Sequence, residues 1–557
     1  MAKSFYDKKF LKGDITGGLV AGVVALPLAL AFGVQSGLGA ISGLYGAIAI
    51  GILAAIFGGT KTQASGPTGP MTVVSAALVA NAIEITGSLE DAMGIIILSF
   101  FVGGVIQIVF GLINIAGYIK YFPYPVISGF MSGVGLIIII LQIFPFVGLD
   151  SAKSTLKVVS DLPRLISDFN WQALVLGGMT VAIYYLFPKI NKTVPSALVA
   201  LIAVTIFSYF IKWDVPIIGE IPSGLPALQI DGLFSIDSSA YFMVLEYGLV
   251  LAVLGSIDSL LTSVIADNMT KTKHNSNREL IGQGIGNMAA AIIGGIPGAG
   301  ATKGTVVNIN NGGRTRLSGA LHGAFLLAVL LGLSSLAAYI PLAVLAGILI
   351  PIGFKIIDMK GISHIKVMPK ADSVVLIIVL LWTTFGSLIQ AVGVGVTLAA
   401  LLFMKRASDI GEKGMQVGTL AGFQGEKPWK DEIEFYEKYK DKVYIKHLYG
   451  PLFFGFTSYF QEQVKHIEED IQILVIRMDR VPHIDQSGVY ALENAILDLS
   501  LKGIKTVFTG LQEQPEDLLR DIDVIPDLVP EKQVFPHVEE SFIWISQELN
   551  GPKVVIT

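Results

Sequence analysis

The sequence predicts a polytopic α-helical membrane protein followed by a small α/β domain. Three observations carry that prediction. The 557-residue chain is 52% hydrophobic and only 15% charged. Long apolar stretches recur up to about residue 404, and soluble-type composition sets in after Arg406. A soluble domain has about a quarter of its residues charged, so a mean hydropathy of +0.66 points to a chain held mostly in lipid. The formal net charge of −5 says little, because the charges are sparse in the first part and dense in the second. No cysteine is present, which excludes disulfides, cysteine-ligated metals and cysteine nucleophiles. Met1 to Gly13 carries Lys3, Lys8, Lys9 and Lys12 without a cleavable signal pattern, and reads as a retained cytoplasmic tail.

A bilayer core takes roughly 20 apolar residues per helix. That length yields about fourteen segments, near 16–33, 41–58, 68–86, 93–116, 124–146, 171–187, 194–211, 243–267, 279–295, 302–311, 316–333, 336–352, 372–388 and 390–404. Loops after even-numbered segments are basic: Lys61, Lys120, Lys189 with Lys192, Lys271 with Lys273 and Arg278, Arg314 with Arg316, Lys355 to Lys370, and Lys405 with Arg406. The opposite loops carry Glu90 and Asp91, or Asp214, Glu220, Asp231 and Asp237. The positive-inside rule then places both termini in the cytoplasm. The loop at 212–242 divides the membrane part, 1–406, into halves of about seven segments each, roughly 14–212 and 243–404.

The third segment of each half is expected to be short, and it opens with helix breakers. One reads Ser65-Gly66-Pro67-Thr68-Gly69-Pro70 and the other Pro297-Gly298-Ala299-Gly300-Ala301-Thr302. Paired interrupted segments at matching positions mark an inverted-repeat transporter. A helix that starts inside the bilayer aims free N–H groups and its dipole at what lies before it, which makes an anion site without cationic side chains. The bland alternative is two kinked, packed helices. Asp258 lies in an otherwise apolar span with Thr262 one turn on. A carboxylate there must be paired, protonated or liganded. With a hydroxyl and unwound carbonyls it offers the oxygen donors of a hard cation such as Na+; protonation of Asp258 is the rival reading. Lys303 either lends charge to an anion or snorkels to an interface.

Residues 407–441 read as a linker running into a charged, solvated helix at Asp431 to Lys442, and 442–557 as a cytoplasmic α/β domain. Strands are expected at Val443 to Phe454, Gln472 to Met478 and Lys505 to Phe508, with a helix at Ser487 to Leu499. Ser487 in Asp485-Gln486-Ser487-Gly488 is a helix cap, as Asp485 could be, or a regulatory phosphorylation or partner site. No phosphate-binding glycine loop is present, so no ATP-driven pump is indicated. The seven histidines show no metal-ligand spacing, and His274 and His364 fall in loops. Nothing in the chain predicts a nucleic-acid partner.

Several strings resemble the sulfate-permease family of anion transporters, and most closely its members that carry bicarbonate with sodium. They are Ala25 to Gly33, Pro67 to Val74, Pro125 to Gly133, Ile257 to Ser263, Asn277 to Gly284, Gly298 to Thr302 and Gly312 to Thr315. The C-terminal part resembles, more loosely, the family's STAS domain. The resemblance implies a seven-plus-seven inverted repeat with a core domain moving against a gate domain, a homodimer to which STAS contributes, and an inner-membrane location. It further implies that Asp258, Thr262, Gly300 and Thr302 bind Na+. Thr68, Gly69, Ala301 and Thr302 would hold the anion, largely through backbone amides, with Phe32 lining the pocket. Many animal members place an Arg where this chain has Gly304, and a sodium-supported site suits the loss of that charge. The function expected is Na+-coupled bicarbonate symport. The alternatives are sulfate or dicarboxylate transport coupled to protons, and an anion channel or sensor signalling through STAS.

Overall fold

Apolar length decides where the helices run. The computed structural model describes residues 7–119, 123–152, 154–191, 194–219, 228–229, 240–414, 429–452, 467 and 470–550. Lys3, Lys120, Lys192, Glu220, Asp231, Asp237, residues 415–428 of the expected linker, Phe454, and residues 551–557 of the expected C-terminal domain lie outside the described residues. Two compact units, 1–399 and 400–557, emerge from the contacts.

Fourteen helices of nine or more residues occupy the described part of the chain up to Gly414. The first half contributes α1 (Leu11–Gln35), α2 (Ala40–Phe57), α3 (Gly69–Thr86), α4 (Leu89–Leu112), α5 (Tyr124–Phe146), α6 (Trp171–Ile190) and α7 (Ser196–Ile211). The second half contributes α8 (Tyr241–Thr270), α9 (Ser276–Ile292), α10 (Thr302–Asn310), α11 (Arg316–Ala337), α12 (Leu342–Ile356), α13 (Lys370–Phe385) and α14 (Leu388–Gly414). Each segment expected from hydropathy falls on one of them. Among the described residues, seven helices are by themselves long and apolar enough to cross a bilayer. Local chemistry sets the ends: the Ser88 hydroxyl accepts the Asp91 N–H to start α4, and Asn275 accepts the Arg278 N–H to start α9.

The two broken segments are not equally short. α3 runs a full 18 residues and only α10, at nine, is a half-helix. Breakers at a helix start leave its far end free to continue, and α3 continues until Gly87, whose φ of 89° ends it.

The helices sort into two bundles. α1–α4 pack with α8–α11, and α5–α7 with α12 and α13. α14 joins the second bundle, because Gly395 sits against Val379 and Val126. Each half thus gives its first four helices to one bundle and its last three to the other. Glycine permits the closest approaches within each bundle. A Cβ at Gly104 would stand 2.7 Å from the Gly284 carbonyl, and one at Gly135 would stand 2.7 Å from that of Gly353. Those contacts join α4 to α9 and α5 to α12, one helix from each half.

The C-terminal unit holds a four-stranded parallel sheet in the order β3 (Val443–Tyr449), β4 (Ile473–Arg480), β5 (Lys505–Thr509), β6 (Val534–Phe535). Parallel sheets need both faces covered. Leu474, Ile476 and Phe508 face α16 (Gln486–Leu501), while Val475, Val507 and Ile545 lie on the other side with α15 (Ile433–Tyr439) and α18 (Val538–Asn550); α17 is Glu513–Asp521. The charged run before β3 is not simply solvated. Glu432 is fully buried, 2.9 Å from His447 Nε2 and 2.6 Å from Arg477 Nη1. Burial pushes its pKa up, yet the hydrogen bonds from His447 and Arg477 win and hold it below the usual carboxylate range.

Candidate ion site at the two broken helices

Both broken segments run extended before they coil. Ser65–Gly66 (β1) pairs antiparallel with Ala299–Gly300 (β2), Ser65 opposite Gly300 and Gly66 opposite Ala299. An antiparallel bridge sends the two chains in opposite directions. α3 and α10 therefore leave it from opposite ends, with their N-termini a few residues apart. The approach demands glycine: a Cβ on Gly298 would stand 2.1 Å from the Gly66 carbonyl oxygen.

A polar stripe on α9 holds this bridge. Asn287 accepts the Gly298 N–H at 2.8 Å and donates to the Gly298 carbonyl at 3.1 Å. Gln283 Nε2 donates to Ser65 Oγ at 2.7 Å and to Glu279 Oε1 at 2.9 Å. Glu279 is 1% exposed and takes four donors: Gly59 N, Thr60 N, Gln63 Nε2 and Gln283 Nε2. A buried carboxylate so completely satisfied is a rigid anchor. Residues 279, 283 and 287 recur every four positions, one face of a helix. That spacing of polar residues in a membrane span is present in the sequence and is the signal that points to them.

From α8, Ser259 Oγ accepts the Gly300 N–H at 3.0 Å. Thr262 Oγ1 donates to the Gly300 carbonyl at 2.9 Å and lies 2.8 Å from Thr302 Oγ1. The structure thus gathers Thr262, Gly300 and Thr302 into one cluster of oxygens. Asp258, one turn earlier on α8, faces the Thr68 hydroxyl, which does not close a full hydrogen bond. Asp258 also lines a narrow cavity of about 40 Å³ with Pro70, Phe130, Ile257 and Val392, at the seam between the bundles. Donors of this kind, hydroxyl, carbonyl and carboxylate oxygen, suit a hard cation.

The two helix starts differ. Thr68 and Gly69, at the start of α3, are buried, and Pro70 has no N–H to give. A Cβ on Gly69 would stand 2.6 Å from Ile356 Cδ1 and 3.1 Å from Ile138 Cδ1, both on the second bundle. At α10, Ala301 and Thr302 are half-buried and Lys303 is exposed. The Ala301 N–H is donated to the Ala64 carbonyl at 2.9 Å. That corrects the expectation of an anion-binding amide there. The donors left without an intrahelical acceptor at this end are those of Thr302, Lys303 and Gly304.

Lys303 is reached by solvent although protein surrounds it on most sides, and it lies within electrostatic reach of Lys355 on α12. The Lys355 ammonium donates to Tyr184 Oη at 2.9 Å and stands 4.6 Å over that ring. Phe32 is buried near the C-terminal end of α1, which packs against α3. In the C-terminal unit the cap of α16 is Asp485, which accepts the Gly488 N–H at 2.7 Å. Ser487 is a half-buried residue in the first turn.

A membrane-spanning repeat with two opposed helix starts and an oxygen cluster beside them is the architecture of a secondary transporter. The sulfate permease family profile matches residues 11–379, and that of the STAS domain matches residues 437–541. The chain belongs to the sulfate permease family and is an anion transporter. It is 40% identical over 533 residues to the bicarbonate transporter BicA of Picosynechococcus, covering 94% of this chain and 92% of that protein. It is 31% identical to the putative sulfate transporter YvdB of Bacillus subtilis, covering 97% and 98%. Among solved structures, the transmembrane domain of a cyanobacterial bicarbonate transporter BicA superposes with a TM-score of 0.64 at 44% identity, over 71% of this chain and 98% of that one.

Proposed function

We propose that this chain carries bicarbonate together with Na+ by alternating access, the first bundle moving as a core against the second as a gate. The observation that carries the reading is the oxygen cluster of Thr262, the Gly300 carbonyl and Thr302, with Asp258 one turn away and the α10 start beside it. Na+ binds Asp258, Thr262, Gly300 and Thr302. The anion sits against the N–H groups of Thr302, Lys303 and Gly304, with Thr68, Gly69 and Phe32 on the far wall. A cation in a dry site acts on the anion far more strongly than it would in water, so the ion pair is bound as a unit and the two fluxes are coupled. The likeness to BicA over nearly the whole chain supports bicarbonate as the anion. The protein works as a homodimer in the cell membrane with both termini cytoplasmic, and Ser487 is a regulatory position on STAS.

The test is uptake of labelled bicarbonate and sulfate into proteoliposomes with and without an inward Na+ gradient. Na+-stimulated bicarbonate uptake that vanishes in Asp258→Asn, while the variant stays monodisperse, is the expected result. Na+ dependence unchanged in that variant removes the cation assignment. Sulfate uptake driven by a proton gradient and abolished by Asp258→Asn would instead establish the proton-coupled reading.

A further inference from the structure

A second cavity, of about 510 Å³, is lined by no residue of the broken helices and opens where the two bundles meet on the side of α7. Its walls come from α1, α2 and α11 of one bundle and α7 of the other; Leu30, Leu44, Leu201, Thr205 and Leu336 represent them. The volume falls within the roughly 300–1,000 Å³ usual for sites of small ligands. The walls are almost entirely hydrocarbon. The exceptions are hydroxyls: those of Tyr209 and Tyr339, and Thr205 Oγ1, which is buried and without a partner.

The mouth of the cavity identifies its occupant. Ile206, Tyr209 and Phe210 on α7 and Leu336 and Tyr339 across from them all line the cavity, and each is at least 49% exposed. In a membrane-spanning unit these side chains meet lipid, so the cavity is continuous with the lipid-facing surface. Tyr209 packs edge-on against Tyr339 with ring centroids 5.2 Å apart. The connection after α11 closes one end, where Ile218 N–H donates to the Ile340 carbonyl and Leu342 N–H to the Pro216 carbonyl, both at 2.9 Å. Water has few partners in such a place, and an anion would find no cationic side chain in the lining. A flexible hydrocarbon tail reaches it directly from the bilayer.

We infer that this cavity is a binding site for a membrane-lipid acyl chain, wedged in the seam between the two bundles. A chain there fills a void that exists only while α7 stands off α1 and α11. Its occupancy therefore stabilises the arrangement seen in this structure, by linkage to whichever state binds it.

The test uses the full chain purified in detergent, with a phosphatidylglycerol carrying a photoreactive diazirine in its acyl tail as the probe. Labelled peptides are expected to map to residues 196–211 and 325–340. Two independent filling variants, Thr205→Phe and Ala337→Phe, should each lower that labelling roughly fivefold or more. Ala203→Phe, which is exposed and does not line the cavity, should leave labelling unchanged. Each variant is checked for monodispersity, and two fillers guard against one failing to fold. Labelling spread evenly over the lipid-facing helices overturns the inference. So does labelling untouched by either folded filler, or photocrosslinking of one protein copy to another from the same residues.

Discussion

The two broken helices begin with the same kind of sequence and end in opposite situations. Pro67 to Pro70 starts a full-length helix whose first residues are buried under the second bundle. Gly300 to Lys303 starts a nine-residue helix whose first residues reach solvent. The α3 start has one donor deleted by Pro70 and is roofed by Ile138 and Ile356. The α10 start keeps its first-turn donors and adds a lysine. Formal repeat symmetry therefore does not imply equal duties. On the proposed reading the α10 end supplies the amides that hold the anion, while the α3 end meets the second bundle, walls the far side of the site and places Thr68 opposite Asp258.

The largest effect should come from pinning the α3 start to the gate. The chain contains no cysteine, so the double variant Gly69→Cys, Ile356→Cys can be bridged selectively with a short bifunctional thiol reagent. Bridging should stop uptake completely, and cleaving a reducible bridge should restore it. Uptake that continues across the bridge would show that the bundles do not move at this contact.

Next comes the α10 start. Thr302 is the first residue of the helix, where proline is tolerated, so Thr302→Pro should fold while losing one backbone donor and one cluster hydroxyl. Two hydrogen bonds to charged groups, about 1.5–3 kcal/mol each, correspond to a loss of roughly 100-fold or more in uptake. The same loss from Gly69→Pro but not from Thr302→Pro would reverse the assignment of the two ends.

Thr68→Ala separates cation from anion duties. A single hydroxyl facing Asp258 is worth a few-fold, about 1 kcal/mol. The apparent constant for Na+ should rise by that much, and the anion constant at saturating Na+ by less, since Thr68 only walls the anion site while the α10 amides carry most of its hold. A change confined to the anion constant would assign the Thr68 hydroxyl to the anion alone and remove it from the surroundings of the cation.

The smallest effect belongs to Lys303→Met, since solvent reaches Lys303 and screens its charge, while the first-turn amides of α10 are fixed in place. The anion constant should rise by no more than about threefold, with Na+-driven uptake intact. Abolished anion binding in a folded protein would make the lysine pair with Lys355 the dominant charge, and sulfate or another dianion the better substrate.

Much of this architecture is legible in the amino-acid sequence alone. Helix positions, the division into halves, the two sets of breakers and the strands and helices of the C-terminal domain follow from hydropathy and from backbone preferences that each residue shares with near neighbours in the chain. So does the choice of Asp258 and Thr262 as candidates, because a carboxylate in an apolar span is conspicuous wherever it ends up. Other features depend on partners more than two hundred residues away. Only the folded chain shows Ser65 opposite Gly300, the Ala301 N–H taken by Ala64, and Gly59, Thr60 and Gln63 converging on Glu279. The cap at Asp485 is a local bond to the Gly488 N–H three residues on, whereas tertiary packing made one helix start closed and the other open. Local sequence sets which backbone groups are left without a partner inside their own helix; the distant segment that covers them decides which remain available to an ion.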